Sequence, residues 1–242
     1  MLRGQTILAL WNGVDPARRD EYEVWHTREH VPERLTVPGM IGAKRYVRTA
    51  GDLPYYFTLY EMRDAEVLSS APYRELLTNP TEWSRSMRPS FTDFLRVCCQ
   101  NVVSLGGGVG GYAAAVLFDN ADNVSPTEIS GVFSGLLNSE MVTGAHLLCR
   151  DYAIADVPFE IAQASADIPR SGIVLIEGFD RVAMERVLQR AMQDLTRIGA
   201  GVHAPSATLY QLSYVLDADC LADTHTIDHT SGAKITAQNQ ET

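Results

Sequence analysis

Apolar residues along the chain fall into short runs separated by amphipathic segments, and the order of these runs repeats. Residues 6–11 form an apolar strand candidate, and 15–30 a helix opened by Asp15-Pro16, an acidic cap with proline in the first turn. After a turn at Val37-Pro38-Gly39 come two strand candidates, 41–48 and 55–62, parted by a loop rich in Gly, Asp and Pro. A second helical region covers about 65–87 with a break near Asn79-Pro80, and 94–105 closes the half as a strand. The predicted order is βαββαβ.

The run Gly106-Gly107-Gly108-Val109-Gly110-Gly111 reads as a linker, because glycine weakens helix and strand interiors alike. A phosphate-binding loop would open a helix and bring a Lys-Ser/Thr or a downstream acid, whereas this run opens an apolar segment. Beyond it the pattern restarts: strand 112–118, a weak helix 125–137, strands 142–150 and 172–179, helix 181–198 and strand 206–216. Two short matches support a true repeat. Gly42-Ala43 with Arg48 corresponds to Gly144-Ala145 with Arg150, an offset of 102. Glu61-Met62-Arg63-Asp64 corresponds to Glu177-Gly178-Phe179-Asp180 at an offset of 116, the longer loop before the second match absorbing the difference. The expected organisation is a first repeat over 1–105, a linker over 106–111, a second repeat over 112–218 and a polar, mobile tail over 219–242.

Chemistry is concentrated in one place. Trp25-His26-Thr27-Arg28-Glu29-His30-Val31-Pro32-Glu33-Arg34 holds two histidines, two glutamates and two arginines. If the segment before Pro32 is helical, His26 and His30 share one face. The corresponding helix of the second half, 126–137, has no histidine or arginine and carries Gly131 and Gly135, so titrating groups are expected in the first half only and the second half reads as structural. Two plainer readings stand beside this. Pro32 would end the helix and leave His30 at a C-terminus, where a cation is favoured, and Arg28, Glu29, Glu33 and Arg34 would pair as a solvated face. His26-Thr27-Arg28-Glu29-His30 also fits the inverted zinc-peptidase pattern H-x-x-E-H, but zinc needs a third ligand and a long helix, and Pro32 follows two residues later. No zinc is expected.

Composition narrows the partners. The 242 residues carry a formal charge of −10, which disfavours nucleic acid and anionic membranes. No run approaches the ~20 apolar residues of a membrane span, and the N-terminus lacks a secretory pattern, so a cytoplasmic location is expected. Of four cysteines, the adjacent Cys98 and Cys99 read as small buried hydrophobes of a strand, and His225 and His229 lie in the polar tail.

The element order, together with Trp25, Glu29-His30-Val31-Pro32-Glu33-Arg34-Leu35, Val37-Pro38-Gly39 and Ala43-Lys44-Arg45-Tyr46, resembles the dimeric α+β barrel superfamily, and within it the EthD-like branch. The resemblance implies an α+β fold in which two tandem ferredoxin-like units pair their sheets into a barrel inside one chain, with homo-oligomers a further expectation. Its functional implication is broad, since relatives include cyclases, dehydratases, lactone isomerases, cofactor-free monooxygenases and haem enzymes. It also implies an acid/base role for His30, with His26 or Glu29 as orienting partner. Arg45, Tyr46, Tyr56 and Tyr60 are candidates to hold an anion, and Trp11, Trp25 and Phe57 to wall a pocket for an apolar or aromatic small molecule. The first expectation is a cofactor-independent lyase or isomerase acting on a phenolic, polyketide-like or alicyclic metabolite. The alternatives are a monooxygenase of the same fold, cofactor-free or haem-bound through a histidine such as His146 or His203, and a non-catalytic binding module.

Overall fold

The computed structural model describes residues 2–51, 55–138, 141–154 and 171–223. The expected loop near 155–171 and most of the expected tail, with His225 and His229, lie outside the described residues. In chain order the elements are β1 (Thr6–Val14), α1 (Arg19–Trp25), α2 (Val31–Leu35), β2 (Met40–Arg48), β3 (Tyr56–Met62), α3 (Ala71–Thr78), α4 (Glu82–Met87) and β4 (Phe91–Gly106). They continue as β5 (Tyr112–Asp119), α5 (Pro126–Leu137), β6 (Val142–Arg150), β7 (Gly172–Gly178), α6 (Arg181–Arg197), β8 (Gly201–Asp217) and α7 (Asp219–Asp223). Several helix starts follow from side-chain caps: Ser70, Thr81, Ser125 and Asp180 each accept a hydrogen bond from a first-turn amide.

The eight strands close into one antiparallel barrel in the order β1-β3-β2-β8-β5-β7-β6-β4. Each half contributes its strands in the same sequence, β4-β1-β3-β2 and then β8-β5-β7-β6, so the seams are β2 with β8 and β4 with β6. The 16-residue β4 and 17-residue β8 make those seams. The first part of β4 pairs with β1, and its end, from Cys99 to Gly106, pairs with β6. Among the described residues, closure leaves no edge of this sheet unpaired. Gly106 and Gly110 in the connection are required: Gly106 has φ +93°, and a Cβ at Gly110 would collide with the backbone of Gly178.

Side chains alternate between the barrel interior and its outer face. Ile7, Ala9, Trp11, Phe57, Leu59, Leu95, Val97, Ile173 and Leu175 fill the interior, and Trp11 stacks on Phe57 with centroids 4.5 Å apart. Cys99 points inward and Cys98 outward, both buried and free, as adjacent strand residues must. At one end the interior is polar. Lys44 Nζ lies 3.0 Å from Glu177 Oε1 and 3.9 Å from Glu61 Oε1. Tyr46 donates to Glu177, and His146 Nε2 lies 3.2 Å from the other Glu177 oxygen. Lys44 and Glu61 come from the first half, His146 and Glu177 from the second. Burial would raise the Glu177 pKa, but the His146 contact and the Lys44 charge outweigh it and hold it at about 2.

The outer faces are covered differently. Over the second half, α5 and α6 lay down Ile129, Phe133, Leu136, Met184, Leu188 and Leu195 as a continuous apolar layer. Over the first half the cover is a set of short helices.

The helix does not end at Pro32, because Pro32 sits in the first turn of α2 and the chain stays helical to Leu35. Between α1 and α2, residues His26–His30 form a wide π turn, in which the Val31 amide reaches the His26 carbonyl five residues back. Proline lacks an N–H and its ring clashes with the carbonyl four residues earlier, and the wider turn accommodates both. His30 is therefore inside the helical segment and is not a terminal cation.

Replacing Lys44 by Met should leave Glu177 and Glu61 buried without their cation and cost about 3–5 kcal/mol in chemical denaturation. The exposed Arg63→Ala should change stability by less than about 0.5 kcal/mol. A Lys44→Met loss as small as that control would contradict the role given to the ion pair.

Candidate active site

Tyr22, His26, His30 and Arg34 recur every fourth residue. On a regular α-helix each such step overshoots a turn by ~40°, so the series would wind off its face. The π turn between His26 and His30 takes back part of that drift. All four residues consequently line one cleft, between the short helices and the outer face of the first-half sheet. The cleft is partly open to solvent.

Its floor is the sheet. Register places Thr58, Leu10 and Arg96 in one row across β3, β1 and β4, with Tyr60 and Leu8 in the next. Asn12, Phe91 and Phe94 extend the floor, while Tyr73, Leu77 and Arg88 close the side. The lining is thus apolar with two imidazoles, three guanidiniums and several hydroxyls. Among the described residues no aspartate or glutamate lines it.

The imidazole rings of His26 and His30 lie 5.3 Å apart, and His30 packs on Trp25 at 4.4 Å. Each has a buried Nδ1 without a hydrogen-bond partner. Burial, aided by Arg45, drives the pKa of His26 well below its ordinary value. Burial, with Arg34, His26 and Arg88, does the same to His30. Both are neutral at pH 7. On the floor, the Tyr60 hydroxyl is buried and unpartnered, and burial raises its pKa.

The residues expected from the sequence divide. His26, His30 and Tyr60 meet in the cleft. Trp25 does not line it, but its ring supports His30, and its indole N–H donates to Ser84 Oγ at 3.2 Å. Glu29 points elsewhere, because it is one residue from His30 and so about 100° round the helix. Its carboxylate accepts from Thr81 at 2.6 Å and Ser84 at 3.2 Å, which ties the segment to α4 and indirectly fixes Trp25. Arg45 and Tyr56 both bind Glu23, at 2.7 and 2.8 Å, beside the cleft rather than in it. Trp11, Phe57 and Tyr46 point into the barrel on the opposite face of the sheet. His146 is likewise interior, bonded to Ser104 and Glu177.

The sequence reading missed Arg88 and Arg96 and placed Arg34 on a solvated face, whereas Arg34 is 5% exposed. Signals for two of them were present. Arg34 continues the four-residue stripe, and Arg96 interrupts the apolar run Phe94-Leu95-Arg96-Val97-Cys98 of a buried strand.

Among the described residues no group of three or more His, Cys, Asp or Glu is placed to hold a metal ion. For haem, a ligating histidine normally donates its second ring N–H to a carbonyl or carboxylate, and neither cleft Nδ1 has such a partner. The cleft residues do not fit an anchored axial ligand. No helix among the described residues is long and apolar enough to cross a membrane.

No family model matches the sequence, and no curated protein matches it. Solved structures do. An anthrone oxidase-like protein is 13% identical with a TM-score of 0.59, over 89% of this chain and 94% of that one. A candidate monooxygenase from Fusobacterium nucleatum is 10% identical with a TM-score of 0.54, over 89% and 98%. A candidate chlorite dismutase is 14% identical with a TM-score of 0.51, over 90% and 99%. At these identities the likeness is one of fold alone, an eight-stranded antiparallel barrel that here closes within a single chain.

Because the folded histidines bind protons more weakly than unfolded ones, whose pKa is ~6.5, stability should fall as pH drops below that value. The melting temperature of the wild type should therefore decline from pH 7 to 5 more steeply than that of His26→Phe. Equal slopes would show that His26 titrates normally.

Proposed function

We propose that the chain is a small-molecule enzyme whose cleft histidines, His30 foremost, remove a proton from an aromatic carbon acid or phenol, and that the resulting anion reacts with O2 without a cofactor. The carrying observation is the lining itself: two neutral imidazoles, each with a buried Nδ1 that has no hydrogen-bond partner, share one cleft with an unpartnered tyrosine hydroxyl and unpartnered guanidinium N–H groups. His30 supplies the base, while Tyr60 and the arginines hold the developing negative charge. Leu8, Leu10, Phe91 and Phe94 match an aromatic body.

The lyase or isomerase expected first from sequence shares the base. No carboxylic acid lines the cleft among the described residues, so in either reaction the proton that His30 takes from the substrate, held as imidazolium, is the one returned to the departing oxygen. For an anthrone-type methylene, the carbon loses two hydrogens and gains one oxygen atom, and the second oxygen leaves as water. The fold-sharing anthrone oxidase-like and monooxygenase-described proteins favour the same reading at the level of fold.

We also assign the first half, 1–105, as the active unit and the second, 112–218, as its structural counterpart, the chain being a tandem duplication of a ferredoxin-like unit close to the EthD-like branch. The repeated strand order supports this, as does the equivalence of Lys44 and Glu61 to His146 and Glu177 at the sequence offsets of the repeat.

With 1,8-dihydroxyanthrone, O2 uptake above the uncatalysed rate is expected from the wild type, and His30→Ala should lower it by about 10²-fold or more with an unchanged melting temperature. Uptake unaffected by His30→Ala would overturn the assignment of the base. Conversion that proceeds without O2 would restore the lyase reading.

A further inference from the structure

The proposed chemistry leaves the three cleft arginines only partly explained. A phenol or carbon acid enters neutral and becomes an anion only after losing its proton, so it cannot neutralise them on binding. Yet they are underpaired in the resting protein. Arg34 is 5% exposed, its Nη1 is buried without a partner, and Glu33, the carboxylate beside it, is 4.0 Å from the other terminal nitrogen. Arg96 has both Nε and Nη2 buried and unpartnered. Arg88 donates to the Leu77 carbonyl at 3.3 Å. Arg45, just outside the cleft, also has a buried Nη1 without a partner, but its Nη2 meets the Glu23 carboxylate at 2.7 Å, closer than any carboxylate comes to the cleft arginines. A buried cation without a counter-ion is strongly unfavourable, and a guanidinium fork is shaped to take a carboxylate through two N–H groups.

We propose that the substrate is an aromatic acid, bearing a carboxylate separate from the group that loses its proton, and that Arg96, with Arg34 and Arg88, binds this carboxylate. The inference rests on the reading of the cleft as the substrate site and names the substrate class for it. The site spans both layers: Arg96 reaches up from the row it shares with Leu10 and Thr58 on the sheet, and Arg34 comes down from the helical stripe. The aromatic body then lies on the apolar floor, below the histidines.

The test uses 3-hydroxy-2-naphthoate and 2-naphthol, which share a skeleton and differ by the carboxylate, titrated calorimetrically into the full chain at low ionic strength. The hydroxynaphthoate should bind about tenfold tighter or more. Arg96→Met should bring hydroxynaphthoate affinity down to that of 2-naphthol for the same variant, and His30→Ala should retain the preference. Arg96 is chosen because it is half-buried on a strand, and a thermal melt confirms that the variant folds. Equal affinity of the two ligands for the wild type, or a preference that survives Arg96→Met, overturns the proposal. The outcome is separable from the oxidative chemistry: carboxylate preference lost in Arg96→Met without O2 uptake on any anthrone upholds the acid site and removes the oxygenase reading, and O2 uptake without the preference does the reverse.

Discussion

Closure of the sheet within one chain is the constraint on which the remaining architecture depends. A barrel of eight strands has an interior wide enough only for side chains, and here Trp11, Phe57, Tyr46 and their neighbours occupy it, with the Lys44–Glu177 pair plugging one end. Cavities of useful size must then lie on the outer faces, under the helices. Over the second half, α5 and α6 present an unbroken apolar layer and fill that space. Over the first half, the helical cover is broken into short pieces, and its inward stripe carries histidine and arginine in place of leucine. The same scaffold is thus packed on one side and hollow on the other.

The hollow side is organised by Pro32. By enforcing a wide turn over His26–His30, it holds Tyr22, His26, His30 and Arg34 on the cleft face although their spacing does not suit a regular helix. Polar links outside the cleft then fix the turn. Trp25 is bound by Ser84, Ser84 by Glu29, and the Trp25 ring backs His30. The electrostatic result is a pocket of neutral bases and underpaired cations inside a protein whose overall charge is −10. Local and global charge have opposite signs, which supports the proposed binding of an anion in the cleft.

Much of the fold was legible in the sequence. Apolar runs located all eight strands, and the matched Gly42/Gly144 and Glu61/Glu177 positions fall at equivalent register points, Gly42 opposite Glu61 and Gly144 opposite Glu177. The candidate site was legible only in part. His26, His30 and Tyr60 could be found because helix spacing and chemistry agreed. Trp11, Phe57 and Tyr46 could not be sorted from them, since both faces of this sheet are buried and strand alternation between two apolar environments leaves no trace in the sequence. Arg45 and Tyr56 have the right chemistry but are already bound to Glu23, a partner 33 residues from Tyr56 in sequence. Pro32 misled for a physical reason: proline usually ends a helix, and only the compensating π turn lets this one continue.

Where an aromatic acid binds is the decisive measurement. A crystal structure of the protein with 3-hydroxy-2-naphthoate should show the ring between the helices and the first-half sheet, its hydroxyl facing His30 and its carboxylate on Arg96. A ligand found inside the barrel, or against α5 and α6 on the second half, would contradict it.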